Sequence, residues 1–332
     1  MVAVADSLKG RSFTRVADWS RDELLEVLDL ADELKRLQHA GEEHHLLPGR
    51  TLGMIFQKPS TRTRVSFEVG ISQLGGTGLY LAAGDLQLGR GETIKDTAHV
   101  LSRYLDGVMI RTYSQADVDE LAEHADIPVI NGLTDEFHPC QALADVMTIR
   151  ERFGSFEGVR VAYLGDGNNV CHSLMVACAK LGTNFTAATP EGYEPSEEVV
   201  GWAQAAAQAS GGSVAVRRDP REAAEGADVL YTDVWTSMGQ EKKRERRLSD
   251  LAAYRIDDDL LRRTRALAAQ TGRTLTAVIE DALREALARQ RGRRGQPRIS
   301  LPTFKGNGLR PGVDLDDTDG LLDIMDASRD PS

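Results

Sequence analysis

A cluster of hydroxyl and guanidinium side chains follows the first apolar run, in the stretch FQKPSTRTRVSFE. Pro59 marks a turn, and Ser60 or Thr61 is the type of residue that caps a helix. The first turn of that helix would bring free backbone N–H groups to one place together with Arg62 and Arg64. Such an arrangement binds anions, and paired guanidinium groups suit a phosphate. The alternative is a capped helix with a solvated basic turn, and spacing alone leaves both open.

Other polar residues stand near the ends of apolar runs. Arg111 closes the stretch DGVMIR, His138 precedes a helical stretch, and Asp233 lies in DVLYTDV. A cationic or imidazole N–H can stabilise negative charge on a reacting carbonyl oxygen, and a carboxylate can bind an ammonium group. The alternatives are a surface charge for Arg111, a helix cap for His138 and a strand-ending acid for Asp233. Asn168 and Asn169 are equally compatible with a turn.

These residues are spaced by alternating apolar and amphipathic stretches from about Thr51 to Val234. The predicted strands are TLGMIF, DGVMIR, IPVIN, RVAYLGD, NFTAATP, SVAVRRD and DVLYTDV, and helical stretches such as TRVSFEVGISQLG and HSLMVACAKLG lie between them. The alternation predicts an α/β protein with two doubly wound parallel sheets, each covered on both faces. Ligands bind such sheets at the carboxyl ends of the strands, which is where the polar residues lie.

Composition and short motifs argue against several classes of protein. The chain has 332 residues, 41% of them hydrophobic, and lacks both a signal-peptide core and an apolar run long enough for a membrane, so we expect a cytoplasmic protein. Cys140, Cys171 and Cys178 show no metal-ligand spacing, which predicts reduced thiols and no metal site. The net charge of −11 argues against wholesale nucleic-acid binding. In GDGNNV, Val170 replaces the third glycine of a dinucleotide fingerprint, so no nicotinamide cofactor is predicted.

Six stretches together resemble the ornithine carbamoyltransferase family over roughly residues 8–256: FQKPSTRTRVSFE, DLQLGRGETIKDT, MIRTY, FHPCQALADVMTI, GDGNNVCHSLM and DVWTSMGQE. The resemblance implies carbamoyl transfer from carbamoyl phosphate to L-ornithine, which gives L-citrulline and phosphate in arginine biosynthesis, without a cofactor. It also implies a carbamoyl phosphate-binding domain at residues 1–150, an ornithine-binding domain at residues 151–256 and a homotrimer.

The resemblance also assigns roles to individual residues. Arg111 and His138 would be catalytic. The residues implied to bind carbamoyl phosphate are Ser60, Thr61, Arg62, Thr63, Gln87, Arg111, His138 and Gln141, with Gln87 reaching into the site of a neighbouring subunit. The residues implied to bind ornithine are Asn169, Asp233, Ser237 and Met238. The family's His-Cys-Leu-Pro loop, which would help to position the attacking amine, has no counterpart after residue 256, so we expect the ornithine-binding domain to be truncated.

The rear of the chain has a different pattern. The stretch RIDDDLLRRTRALAAQTGRTLTAVIEDALREALARQ resembles a ribbon-helix-helix antitoxin of the VapB type, which places such a module at residues 257–298 and indicates a gene fusion near Arg255. The tail at residues 299–332 resembles the extended segment with which those antitoxins bind a PIN-domain ribonuclease toxin. The candidate toxin-binding residues are Phe304, Leu309, Arg310 and Leu322. Operator DNA is a weaker candidate partner, because the sequence before Arg255 has helical character rather than the strand pattern of a DNA-reading ribbon.

Overall fold

A computed structural model describes residues 8–87, 91–235 and 244–257. In these residues, eight parallel strands form two four-stranded sheets. The first sheet consists of Thr51–Phe56 (β1), Thr77–Ala82 (β2), Gly107–Arg111 (β3) and Val129–Leu133 (β4). The second sheet consists of Arg160–Leu164 (β5), Asn184–Ala188 (β6), Ser213–Arg217 (β7) and Val229–Tyr231 (β8). The predicted α/β class with two parallel sheets is confirmed.

The helices connect the strands and cover the sheets, as parallel pairing requires. Those in the described residues are Arg21–Ala40 (α1), Thr61–Gln73 (α2), Ile94–Ser102 (α3), Gln115–His124 (α4), Pro139–Phe153 (α5), Asn169–Leu181 (α6), Glu197–Ser210 (α7), Pro220–Ala224 (α8) and Arg244–Asp250 (α9). Their ends follow local chemistry. Ser20 and Glu23 form a capping box at the start of α1, and Gly41 ends it in the left-handed region at φ 72°.

Each sheet contains one reversal of strand order, although the two strand orders differ. The order is β2-β1-β3-β4 in the first and β7-β6-β5-β8 in the second. In each, the chain moves outward from its first strand and then returns to that strand's other side. The strand order therefore reverses between β1 and β3, and again between β5 and β8. Open α/β sheets bind ligands in the crevice at such a switch point, so the fold predicts two adjacent half-sites.

Helix α6 joins the two halves. Ten of its thirteen residues are buried, and it packs on α5 and α7 in a core that also includes Leu24 and Leu28 of α1. A helix that is apolar on almost every side belongs in a core rather than at a surface. Helix α5, which His138 precedes, and the second sheet therefore share one packed core, whereas β1 and β3 pack in separate apolar clusters.

Five of the seven predicted strands lie close to their predicted bounds, IPVIN is shifted to Val129–Leu133, and DVLYTDV is shortened to Val229–Tyr231. Strand β2 was not among the predicted strands, because its residues TGLYLA are mostly exposed or half-buried at a sheet edge. No helix among the described residues is long and apolar enough to span a bilayer. The antitoxin-like module at residues 257–298, apart from its first residue, and the tail at residues 299–332 lie outside the described residues.

Candidate active site

The turn between β1 and α2 forms the first part of the candidate site. Ser60 is the N-cap of α2, and its Oγ accepts a hydrogen bond from the Thr63 backbone N–H at 3.3 Å and lies 3.0 Å from Thr63 Oγ1. Thr61 and Arg62 occupy the exposed first turn. Helix α2 begins just after the carboxyl end of β1, so its free N–H groups and the positive end of its dipole lie at the switch point. This turn is suited to bind an anion.

Arg111 ends β3, directly beside the end of β1, because Arg111 pairs in register with Phe56. Its side chain is buried, and Nη1 lies 3.5 Å from Thr63 Oγ1 at the limit of a hydrogen bond. Within the described part of the chain, Arg111 Nε is buried without a hydrogen-bond partner. Burial and the positive charge of Arg62 lower the pKa of Arg111. An anion bound between two such cations would offset their mutual repulsion.

Arg64 does not join this pair, so the expectation that Arg62 and Arg64 converge is wrong for Arg64. Its guanidinium forms an ion pair with Glu68 at 3.1 Å and stacks over the Tyr80 ring at 4.0 Å. The spacing of four residues on one helix brings Arg64 and Glu68 together. Tyr80 comes from the neighbouring strand β2.

His138 is the N-cap residue of α5, but its side chain makes no capping hydrogen bond. The structure thus does not support the alternative role of this imidazole as a helix cap. Its Nδ1 is buried and has no hydrogen-bond partner among the described residues. Burial, and secondarily the positive charge of Arg111, lowers the pKa of His138 to about 4. The imidazole is therefore neutral at pH 7 and has one N–H to donate.

Gln141 lies one turn into α5, where its Nε2 donates to Asp145 Oδ1 at 2.9 Å. Burial raises the pKa of Asp145, whereas hydrogen bonds from Gln141 and Tyr231 lower it, and the charge of Asp233 raises it further. This chain of contacts leads from α5 to the end of β8. It physically connects the carbamoyl side of the candidate site to the acceptor side.

The acceptor side is built at the second switch point. Asn168 Nδ2 donates to Asp233 Oδ2 at 3.0 Å, while Asn168 Oδ1 caps α6 and accepts from the Tyr163 hydroxyl at 3.1 Å. The neighbouring Asn169 directs its amide elsewhere, to the Thr134 carbonyl at 2.6 Å. The structure therefore brings Asn168 rather than Asn169 to the carboxylate.

Three more residues were predicted to belong to the site: Ser237, Met238 and Gln87. Ser237 and Met238 lie outside the described residues. Gln87 is exposed and ends the first described segment. It was predicted to contribute to the site of a neighbouring subunit rather than to the cluster in its own chain. The described residues hold no group of three or more His, Cys, Asp or Glu side chains arranged to bind a metal ion.

Arg247 is a residue that the sequence did not single out. It is 9% exposed, forms an ion pair with Asp166 on the loop after β5, and donates through Nε to the Trp235 carbonyl at 2.6 Å. Its guanidinium also lies 5.0 Å from the centre of the Tyr193 ring. The loops after β5 and β8, which flank Asp233, are thereby tied to α9. Arg247 stands among other arginines in α9, and the sequence does not indicate which of them forms a buried contact.

Known proteins match both halves. The carbamoyl-P binding domain of aspartate/ornithine carbamoyltransferases matches residues 11–151, and the Asp/Orn binding domain of the same enzymes matches residues 157–269. The first match ends within α5, and the second begins just before β5, so the division follows the two sheets. The fold is that of the aspartate/ornithine carbamoyltransferase class.

Individual relatives narrow the class. Ornithine carbamoyltransferase from Pyrococcus horikoshii is 55% identical over 260 residues, which are 78% of this chain and 82% of the relative. The Anoxybacillus flavithermus ornithine carbamoyltransferase is 50% identical over 294 residues, 86% of this chain and 94% of the relative. The solved structure of the Pyrococcus furiosus enzyme superposes with a TM-score of 0.75 at 54% identity, covering 79% of this chain and 83% of that one. The chain belongs to the ornithine carbamoyltransferase family.

Proposed function

We propose that this chain transfers the carbamoyl group of carbamoyl phosphate to the side-chain amine of L-ornithine, with L-citrulline and phosphate as products. The supporting observation is a pair of buried nitrogen atoms, Arg111 Nε and His138 Nδ1. Neither has a hydrogen-bond partner among the described residues; Arg111 lies at the first turn of α2, and the charge of Arg111 acts on His138. Buried polar groups are normally satisfied, so such a pair at a switch point indicates a ligand-binding role.

The donor half would hold carbamoyl phosphate by its two ends. The first turn of α2, with Ser60, Thr61, Arg62 and Thr63, binds the phosphate through backbone N–H groups, hydroxyls and charge. Arg111, His138 and Gln141 then surround the carbamoyl group. Negative charge develops on its oxygen when the amine attacks, and preorganised donors from Arg111 and neutral His138 stabilise that charge.

The acceptor half would hold L-ornithine at Asp233. Its carboxylate pairs with an ammonium group, and the hydrogen bond from Asn168 fixes its orientation. Asn169, Ser237 and Met238 remain proposed contacts of the amino acid. The side-chain nitrogen bonds to the carbamoyl carbon, the bond from that carbon to the phosphate oxygen breaks, and the amine gives up one proton. The phosphate leaves with the bonding electrons and takes up that proton.

The test is citrulline formation by the purified full chain. Phosphate release should require L-ornithine, and Arg62→Ala should reduce turnover by about a hundredfold or more, as loss of a transition-state or phosphate contact does. Arg64→Ala is the matched control, because Arg64 is bound to Glu68 and Tyr80 instead. Citrulline at background level from the unaltered chain contradicts the proposal.

We further propose that the active assembly is a homo-oligomer, a trimer by family resemblance. Helix α2 and strand β2 expose an apolar surface in the single chain, with Val65 at 51%, Val69 at 47% and Leu79 at 46% exposure. Contiguous apolar surface of this kind marks an interface. Gln87 is exposed in the same half of the chain, consistent with its assigned role in a neighbouring site.

Light scattering measures the oligomer directly. The unaltered chain should have the mass of three copies, and Val69→Asp should shift it to one copy because a charge cannot be buried unpaired in an apolar contact. Leu47→Asp, at an exposed position outside α2 and β2, serves as the control and should retain the mass of three copies. A monomeric unaltered chain refutes the assembly.

From the sequence alone we infer that residues 299–332 form a binding segment for a PIN-domain toxin, with Phe304, Leu309, Arg310 and Leu322 as contacts. The support is an apolar set interspersed with proline and glycine, a composition typical of segments that fold on a partner. A chain ending at Arg298 should lose capture of the toxin. Equal capture by both forms contradicts this role, and neither family match extends past residue 269.

A further inference from the structure

The loop that carries His138, residues 134–138, is held by one face of α6. At the start of that helix, Asn169 Nδ2 donates to the Thr134 carbonyl at 2.6 Å. Four residues later, Ser173 Oγ accepts from the His138 backbone N–H at 2.8 Å. Positions four apart lie on the same helix face. The two ends of the His138 loop are therefore bound to the same surface of α6.

His172 binds the middle of the same loop and reaches beyond it. Its Nδ1 lies 3.0 Å from the Glu136 carbonyl, and its Nε2 lies 2.9 Å from the Ser196 backbone nitrogen just before α7. A carbonyl oxygen only accepts and a backbone N–H only donates. Nδ1 must therefore carry the hydrogen and Nε2 must be bare, so both contacts exist in a single neutral tautomer.

We propose that His172 is a positioning residue for carbamoyl transfer, in which the Nδ1–H tautomer links the His138 loop to the Ser196 turn and so fixes the orientation of His138. This inference rests on the proposed function, because it assigns His172 an effect on the same reaction. Burial lowers the pKa of His172, opposed by the Glu136 carbonyl and by the charge of Asp166. The neutral form that both contacts require is the form present at pH 7.

The geometry makes the two arms of His172 separable by substitution. An Asn amide reaches the position of Nδ1 and retains the donor to Glu136, whereas a Gln amide reaches the position of Nε2 and retains the acceptor for Ser196. The arm to Glu136 is the one that touches the His138 loop. His172→Gln should therefore lower kcat by about 10- to 100-fold, as displacement of a catalytic group by about 1 Å does. His172→Asn should retain several-fold more activity.

The KM for carbamoyl phosphate separates positioning from general damage. The phosphate turn on α2 does not touch His172, so this KM should change less than about twofold in either variant, while kcat falls. Half-buried His44, whose Nδ1 lies 2.8 Å from the Glu42 carbonyl, provides the control His44→Asn with wild-type constants. Equal kcat in all variants, a better Gln than Asn variant, or a kcat loss matched by loss of folded protein in circular dichroism overturns the inference.

A second measurement does not depend on turnover. The full chain labelled with ¹⁵N-histidine should show a protonated Nδ1 and a bare Nε2 for His172 at pH 7, with the signal identified by its loss in His172→Gln. Protonation at Nε2 overturns the inference whether or not citrulline forms. Absence of citrulline with the expected His172 tautomer overturns the proposed function instead.

Discussion

Arg247→Met tests whether the contact between α9 and the acceptor loops is energetically significant. The side chains of Arg247 and Asp166 are 11% and 17% exposed, so the substitution leaves a mostly buried carboxylate without its cation. Breaking a buried pair costs about 3–5 kcal/mol, and the remaining solvent access of Asp166 reduces the expectation to about 2–3 kcal/mol. Met keeps much of the packing of the Arg stem, so the change reports mainly the lost charge and hydrogen bonds.

Urea unfolding measures this cost, with Arg246→Met as the matched control. Arg246 is 85% exposed, and its pair with Asp250 at 3.5 Å should contribute less than about 1 kcal/mol. The double variant Arg247→Met with Asp166→Asn should recover about 1–2 kcal/mol, because it removes the stranded charge. The KM for L-ornithine should rise about tenfold, while that for carbamoyl phosphate stays constant. An Arg247→Met variant no less stable than Arg246→Met refutes the reasoning.

Three further perturbations test other parts of the site. Arg111→Met should lower kcat about a hundredfold or more in the citrulline assay, yet leave the free energy of unfolding unchanged or raised, because it relieves repulsion with Arg62. Folded His138 has a pKa of about 4, below the ordinary 6.5, so the unfolded chain takes up more protons as the pH falls below 6.5. Stability in urea should therefore drop by about 2 kcal/mol between pH 7 and pH 5, and by clearly less in His138→Gln. Gly167→Ala would place a Cβ 2.2 Å from the Pro195 backbone nitrogen, so thermal unfolding should show a loss of about 1–3 kcal/mol or more, and an unchanged Tm contradicts the clash.

The fold was largely predictable because the strands are buried apolar runs separated by amphipathic helices. Strand β3 is buried at every position, and β5 at all but its first. Strand β2 escaped prediction because an edge strand that faces outward needs no continuous apolar run. The register of β2 is set by its pairing with β1, and the residues TGLYLA alone do not specify that pairing.

The site was predictable only in part. Ser60, Arg111 and His138 meet because strands β1, β3 and β4 are neighbours, and strand-end polarity gives a local signal for each. The stacking of Arg64 on the Tyr80 ring depends on how β2 pairs with β1. The spacing of Arg62 and Arg64 in the sequence does not specify that pairing. The link between Arg247 and Asp166 spans 81 positions and likewise has no local signature.

The crevices at the two switch points carry opposite charges. The first carries Arg62 and Arg111, and the second carries the carboxylates of Asp145 and Asp233. A dianionic donor and an amino acid with an extra ammonium group are then attracted to different halves before any specific contact forms. Such sorting at a distance is sensitive to screening, so moderate salt would weaken the capture of both substrates even where every hydrogen bond is retained.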